Sequence, residues 1–285
     1  MNYLSRLKAC AALLFKKHPQ ADVTDQILKT SDPEVLITWL MEAARRIEGF
    51  NLTCRYAGRY ILKLNVFSGH TFRDIIRFGS YQMDLMELIV SQINPKDVLF
   101  IDVGANVGTT ILNAHSLGFR KFLGFEPTRK NFDDLIQNTK QIAHDSELDF
   151  RMLAIGDKKG ELPLHLNEAS CGRHSFKVDF HYKTEVVEVT TLDALGINQD
   201  NFMLIDTEGF ELEVLLGATE LLKKTRGVCA EITPRYISPD ELEKLRVFLN
   251  KNFKRHFIQD VLIERDVTSE EFYNRSEQYD IVSFK

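Results

Sequence analysis

From Val98 onward, short unbroken apolar runs alternate with amphipathic stretches, and this alternation restricts the fold more than any other feature of the chain. "VLFIDVG" (98–104) is apolar at successive positions, as a strand covered by helices on both faces must be. "TTILNAHSLG" follows as a short helix closed by Gly118 and "KFLGFEP" as a second strand. "TRKNFDDLIQNTKQIA" is a helix expected to turn Phe132, Leu135, Ile136 and Ile142 inward. "LDFRMLAIGD" and "NFMLIDTEG" read as a third and a fourth strand, "ELEVLLGATELLKK" as a helix and "GVCAEIT" as a fifth strand. "SPDELEKLRVFLNKN" opens a helix with a capping box, Ser238 with Glu241, and Pro239 at its first position. "FKRHFIQD" and "YDIVSFK" supply two last strands. Alternation this regular predicts a doubly wound, mostly parallel α/β sheet of Rossmann-like form. Between the third and fourth strands it breaks, and residues 161–196 read as an inserted β-hairpin region at the rim of a ligand cleft.

Residues 1–77 form a different region, an α/β N-terminal extension of helices and a β-hairpin, with the main domain at 78–285. "SDPEVLITWLMEAARRIEG" has an Asp-Pro start, helical apolar spacing and a closing glycine. "FNLTCRYAGRYILKLNVFSG" alternates on both sides of Ala57-Gly58, as a hairpin does. Residues 1–80 carry 12 Lys and Arg against 7 Asp and Glu, whereas residues 81–285 carry 24 against 34. The acidic main body speaks against nucleic acid as a partner. At the start, Leu4, Leu7, Ala11, Leu14 and Phe15 share one helical face beside Lys16 and Lys17. That pattern reads as a surface helix packed on its own protein, with weak peripheral membrane contact as the alternative. It lacks a small-residue cleavage site, and no apolar run reaches the length of a membrane span. The four isolated cysteines, Cys10, Cys54, Cys171 and Cys229, fit a reducing compartment, and the expected localisation is cytoplasmic.

The ligand site of such a sheet lies beyond the carboxyl ends of its strands, where the strand order reverses. The first strand ends there in "DVGANVG". Gly104 permits a sharp turn, and Gly108 lets the next helix start close to a ligand. The spacing differs from the G-x-G-x-x-G of a dinucleotide fold, and a carboxylate at Asp102 repels a pyrophosphate. It welcomes an ammonium group instead. Glu126 ends the second strand 22 residues after Gly104, where an acid can take both hydroxyls of a ribose. S-adenosylmethionine, with an ammonium, a sulfonium and no phosphate, matches this pair. An NAD(P)-dependent oxidoreductase is the weaker reading on the same grounds.

With those residues in view, the chain resembles the FkbM-type methyltransferases. The likeness rests on "VLFIDVGANVG", "GFEPTRKNFDDLIQNT", "LAIGDKKGELPL", "VTTLDAL" and "LIDTEGFELEVLLGA", in the family's order, and covers residues 78 to about 233. The resemblance implies an S-adenosylmethionine-dependent O-methyltransferase acting on a hydroxyl of a sugar, glycan or natural product, with 78–285 as its class I methyltransferase domain. It places Asp102, Gly104, Ala105, Asn106 and Gly108 along the methionine and ribose, Glu126 on the ribose diol, and Ala154 and Asp157 near the adenine. "FGSYQMD" resembles the segment ahead of the first strand, which sets Tyr81 and Gln82 beside the donor. Leu204 stands where the family usually has a lysine.

Transfer to a hydroxyl is helped by a base at the acceptor. Asp206, at the end of the fourth strand, is the first choice and Glu208 the second. His174 and His181 in the inserted region are rivals. No metal site is assigned, although Glu231 at the end of the fifth strand is the residue that would join Asp206 and Glu208 around magnesium. A catalytically silent donor-binding module is the competing reading from outside enzymology.

Overall fold

The computed structural model describes residues 32–46, 52–167, 170, 172–258, 261–273 and 277–285. The N-terminal face of Leu4 to Phe15, Cys10 and Cys171 lie outside them. The chain divides into two compact units, residues 1–82 with 168–172, and residues 83–167 with 173–285. Among the described residues no helix is long and apolar enough to cross a membrane.

In the first unit, α1 (Pro33–Arg46) begins where the Asp32 carboxylate accepts from the Glu34 amide at 2.9 Å. Strands β1 (Leu52–Tyr56) and β2 (Tyr60–Leu64) pair antiparallel around Ala57 and Gly58. Ala57 and Gly58 have positive φ, 46° and 70°, and with Arg59 they make a tight three-residue connection between the paired Tyr56 and Tyr60. Every second residue of each strand is buried, as the sequence alternation required. A further helix, α2 (His70–Phe78), follows the hairpin and is stopped by Gly79 in the left-handed region.

The second unit opens with α3 (Met83–Gln92) and then lays down β3 (Leu99–Val103), α4 (Thr109–Ser116), β4 (Lys121–Phe125), α5 (Arg129–Thr139) and β5 (Glu147–Arg151). Strands β6 (Ala154–Ile155), β7 (Gly160–His165) and β8 (Thr184–Thr190) come next, then β9 (Asn201–Ile205), α6 (Glu211–Leu216) and β10 (Thr225–Ile232). The unit ends with α7 (Pro239–Asn252), β11 (Arg255–Ile258), β12 (Val261–Ile263), α8 (Ser269–Tyr273) and β13 (Tyr279–Phe284). The large sheet runs β12-β11-β13-β10-β9-β3-β4-β5. From β10 to β5 every neighbouring pair is parallel, and β13 inserts antiparallel between β10 and β11. Leu99, Ile101 and Val103 of β3 join the aliphatic core beneath α6 and α7, whereas Phe100 stacks on Phe202 and meets Phe119 and Phe122 edge-to-face on the opposite face. Coverage on both faces is the reason the β3 sequence does not alternate. The α7 capping box is present, with Ser238 and Glu241 reciprocally bonded.

Three expectations change. The third apolar run splits at Met152-Leu153: β5 stays in the large sheet, while β6 joins β8 and β7 in a separate three-stranded sheet formed by the inserted region. Helix α6 stops at Leu216 instead of continuing to Lys224, and at its C-cap Gly217 the chain passes so close to the Gly156 carbonyl that a Cβ would collide with it. Ile136 of α5 is exposed, and the buried face of that helix is Asn131, Asp134, Leu135, Asn138 and Thr139. The polar residues are explained by what the helix packs on. Asn138 Nδ2 donates to the Val107 carbonyl at 2.8 Å, a contact with the glycine loop's own backbone.

Candidate active site

The chain lays down β3, β4 and β5 in one direction across the sheet and then returns to β9 and β10 on the other side of β3, which puts the topological switch point between β3 and β9. Residues 104–108 leave β3 at that point. Gly104, Asn106 and Gly108 have φ of 92°, 48° and 87°, so the loop coils tightly back. A Cβ on Gly104 would collide with the Asp206 carbonyl oxygen, and one on Gly108 would lie 2.9 Å from Leu135 and 3.0 Å from Thr139. Gly104→Ala therefore combines a backbone clash with a disfavoured φ, and roughly 3 kcal/mol or more of stability should be lost. Chemical denaturation of purified protein checks this; a variant as stable as wild type would mean the loop sits farther from Asp206.

The loop's amides are consumed internally. Gly104 and Ala105 both donate to the Phe125 carbonyl at 3.0 and 2.9 Å, Gly108 donates to Ala105 at 2.8 Å, and Asn106 donates to Glu126 Oε2 at 3.1 Å. Four of five amides are thus turned away from any phosphate, the reverse of a dinucleotide loop.

Two acids stand at this loop. Asp102 is fully buried, its Oδ2 accepts from the Thr110 hydroxyl, and its Oδ1 has no partner. Burial, with a smaller contribution from the Glu126 charge, raises its pKa from 3.8 to about 7. Glu126, also buried, is clamped: Oε1 accepts from the Thr128 amide at 2.9 Å and hydroxyl at 2.6 Å, and Oε2 from Asn106. Burial raises its pKa too, against the opposing pull of these bonds and of one from Asn131. An orphaned, buried carboxylate oxygen beside a fixed second carboxylate fits an ammonium and a ribose diol, which is what S-adenosylmethionine presents.

Ala154 lies in β6, buried against Leu164, Val187 and Val189, and Asp157 is exposed in the turn that follows, so neither belongs to the hydrogen-bonded group around Asp102 and Glu126. Tyr81 and Gln82 belong to the first unit, where the Tyr81 amide donates to the Tyr56 hydroxyl at 3.3 Å and Gln82 has a φ of 51°.

A second group of acids gathers at the tips of β9 and β10. Ile205 pairs with Ala230, so Asp206 and Glu231 are the next residues on adjacent strands, and Glu208 follows two residues later with a φ of 51°. One carboxylate oxygen from each of Asp206, Glu208 and Glu231 lies within 4.8 Å of the others. Asp280 pairs with Glu231 across β13, and Glu211 is buried close by, its Oε1 accepting from Thr207 and Gly209. Burial, then repulsion from Glu231 and Glu208, raises the Asp206 pKa well above its ordinary value. The same causes, with Glu231 the largest charge, raise Glu208 from 4.5 to about 8. Arg173 faces Glu208 at 4.0 Å. The two histidines are poorly placed to act as bases. His174 Nδ1 already accepts from the Asn167 amide at 3.0 Å, and burial pushes its pKa down to about 4. The His181 side chain is 90% exposed.

Sequence reasoning did not find Thr110, Asn138, Glu211, Asp280 or Arg173 as part of these groups. For Thr110 and Glu211 a signal existed, one helical turn or less beyond a motif residue. For Asp280 only strand register reveals it.

A doubly wound sheet whose switch point holds acids in place of a phosphate cradle is the frame of a methyltransferase. The sequence match is specific: the family model described as the methyltransferase FkbM domain covers residues 102–256. The chain belongs to the FkbM methyltransferase family, and is an S-adenosylmethionine-dependent methyltransferase. Hexuronic acid methyltransferase AglP of Haloferax volcanii is 26% identical over 166 residues, 58% of this chain and 67% of that protein. Among solved structures, methyltransferase FkbM of Methylobacillus flagellatus matches with a TM-score of 0.47 at 15% identity, over 78% of this chain and 56% of that one. Magnesium protoporphyrin IX methyltransferase of Synechocystis with bound S-adenosylmethionine gives 0.45 at 15% identity, over 90% and 98%.

Proposed function

We propose that this enzyme methylates a hydroxyl oxygen on a sugar, glycan or related natural product. The single observation that carries the reading is the carboxylate group of half-buried Asp206 with buried Glu208 and Glu231, set against the donor loop where Gly104 meets the Asp206 backbone. Asp102 takes the donor's ammonium, Glu126 its ribose hydroxyls, and residues 104–108 line the methionine and ribose between them. The donor supplies a methyl group already activated on sulfur. The chain's remaining task is to hold an acceptor oxygen in line with that methyl at about 3 Å and to take its proton. Asp206 is the proton acceptor in this scheme, with Oδ1 free of any other partner and a raised proton affinity. Glu208 assists from two residues on. As the new O–C bond forms, the S–C bond breaks, its electron pair stays on sulfur and the hydroxyl proton passes to Asp206. A relative named for acting on a hexuronic acid adds weight to a sugar acceptor.

Incubating the purified full-length protein with methyl-labelled donor and pools of neutral sugars, uronic acids and glycans tests the reading. Label held in an alkali-stable ether is the expected result. Label released by mild alkali as from an ester, or found on nitrogen, would contradict hydroxyl methylation, and no transfer to any pool would favour a silent donor-binding module.

A further inference from the structure

We propose that Asp206, Glu208 and Glu231 form a site for one hard divalent cation of the magnesium or manganese class. The proposal stands on geometry for binding, and rests on the methyl-transfer reading only for what the cation does there. Oxygens of the three carboxylates lie within 4.8 Å of one another. A single ion with metal–oxygen bonds of about 2.1 Å holds opposed ligand oxygens about 4.2 Å apart and adjacent ones about 3 Å apart, so the three side chains draw together around it on binding. An all-carboxylate donor set selects cations that prefer oxygen over nitrogen or sulfur.

The independent sign of a missing partner is Glu208. Its side chain is 6% exposed, yet Oε2 receives no hydrogen bond, and Asp206 Oδ1 is in the same state. Buried carboxylate oxygens left without donors are costly, and native proteins rarely keep them unless something binds there. The surrounding charges do not supply the remedy. Arg173 and Arg235 act on Glu208, but the charged groups that weigh most on Asp206 are Glu231, Glu208 and Glu211, all acidic. Asp280 adds another acid opposite Glu231. On the inner side of Asp206 the strand continues with buried Ile205 and Leu204, neither of which carries charge. A divalent cation answers this arrangement better than protons, since it satisfies three oxygens at once. The cation also lowers the pKa of an acceptor hydroxyl that coordinates it, which eases loss of the proton.

The test uses full-length protein stripped with a chelator and titrated with Mn²⁺, free ion being followed by its electron paramagnetic resonance signal. Donor affinity is measured separately by calorimetry, and folding by thermal melting. One ion per chain is expected, with Glu208→Gln and Glu231→Gln each weakening it about tenfold or more while donor affinity stays within about threefold. Should Glu231→Gln unfold, Glu231→Asp, which keeps the charge but withdraws the oxygen, is expected to weaken the ion in the same way. No saturable Mn²⁺ binding, or binding unchanged in these variants, overturns the site. Mn²⁺ bound through these residues in a protein that ignores S-adenosylmethionine would uphold the cation site and sink the methyl-transfer reading.

Discussion

Asp206→Asn is expected to leave a folded protein that still binds the methyl donor, with kcat lowered roughly 10²- to 10⁴-fold, the range seen when a positioned general base is lost. Asparagine keeps the shape of the side chain and removes its capacity to accept a proton. The substitution also removes one acid from a crowd of acids. Asp206 is half-buried with its Oδ1 shielded from solvent, and the charges that weigh most on it, Glu231, Glu208 and Glu211, all repel it. The variant should therefore melt no lower than wild type, and this separates a chemical loss from an unfolding one. Steady-state kinetics at saturating donor, read beside a melting curve, checks both halves. A stable variant with most of its turnover intact would remove Asp206 from the chemistry.

Asp102→Asn carries the second large effect, and it runs in opposite directions for binding and for stability. Losing a buried charge that meets an ammonium should weaken S-adenosylmethionine binding about a hundredfold or more. Stability of the ligand-free protein should rise. Asp102 ionises near 3.8 in the unfolded chain and near 7 when folded, because burial disfavours the charge. Between those values the folded state holds the extra proton, so stability falls as pH rises through the window, by about 4 kcal/mol once pH exceeds 7. Asparagine has no such titration. The variant should gain on wild type in melting temperature as pH goes from 5 to 8, while wild-type donor affinity should strengthen between pH 6 and 8 as Asp102 ionises. Parallel melting curves for the two proteins across that range would contradict a buried, strained carboxylate.

The sheet was legible because its physics is local. A strand covered on both faces must read as "VLFIDV", and a loop that coils back on itself needs glycine at 104 and 108, where φ is positive. Asp102 and Glu126 were legible for the same reason, each lying at the end of a strand the pattern had already placed. What could not be read was set by distant partners. The inner face of α5 is polar because it rests on the backbone of another loop, so an apolar pattern that favoured Ile136 misled. Asp280 comes to lie opposite Glu231 through a strand register that brings together residues far apart in sequence, and no short motif encodes it. The bend at Met152-Leu153 interrupts an apolar run without a glycine or proline to announce it.

Calorimetric titration of the full-length protein with S-adenosylmethionine, repeated with Asp102→Asn and Glu126→Gln and with NAD⁺ as a control, tests the donor site most directly. Saturable heat with S-adenosylmethionine, none with NAD⁺, and a loss of at least about tenfold in affinity in each variant is the predicted outcome. Tight binding of NAD⁺, or variants that bind S-adenosylmethionine as well as wild type, would show that these two acids do not hold a cationic nucleoside.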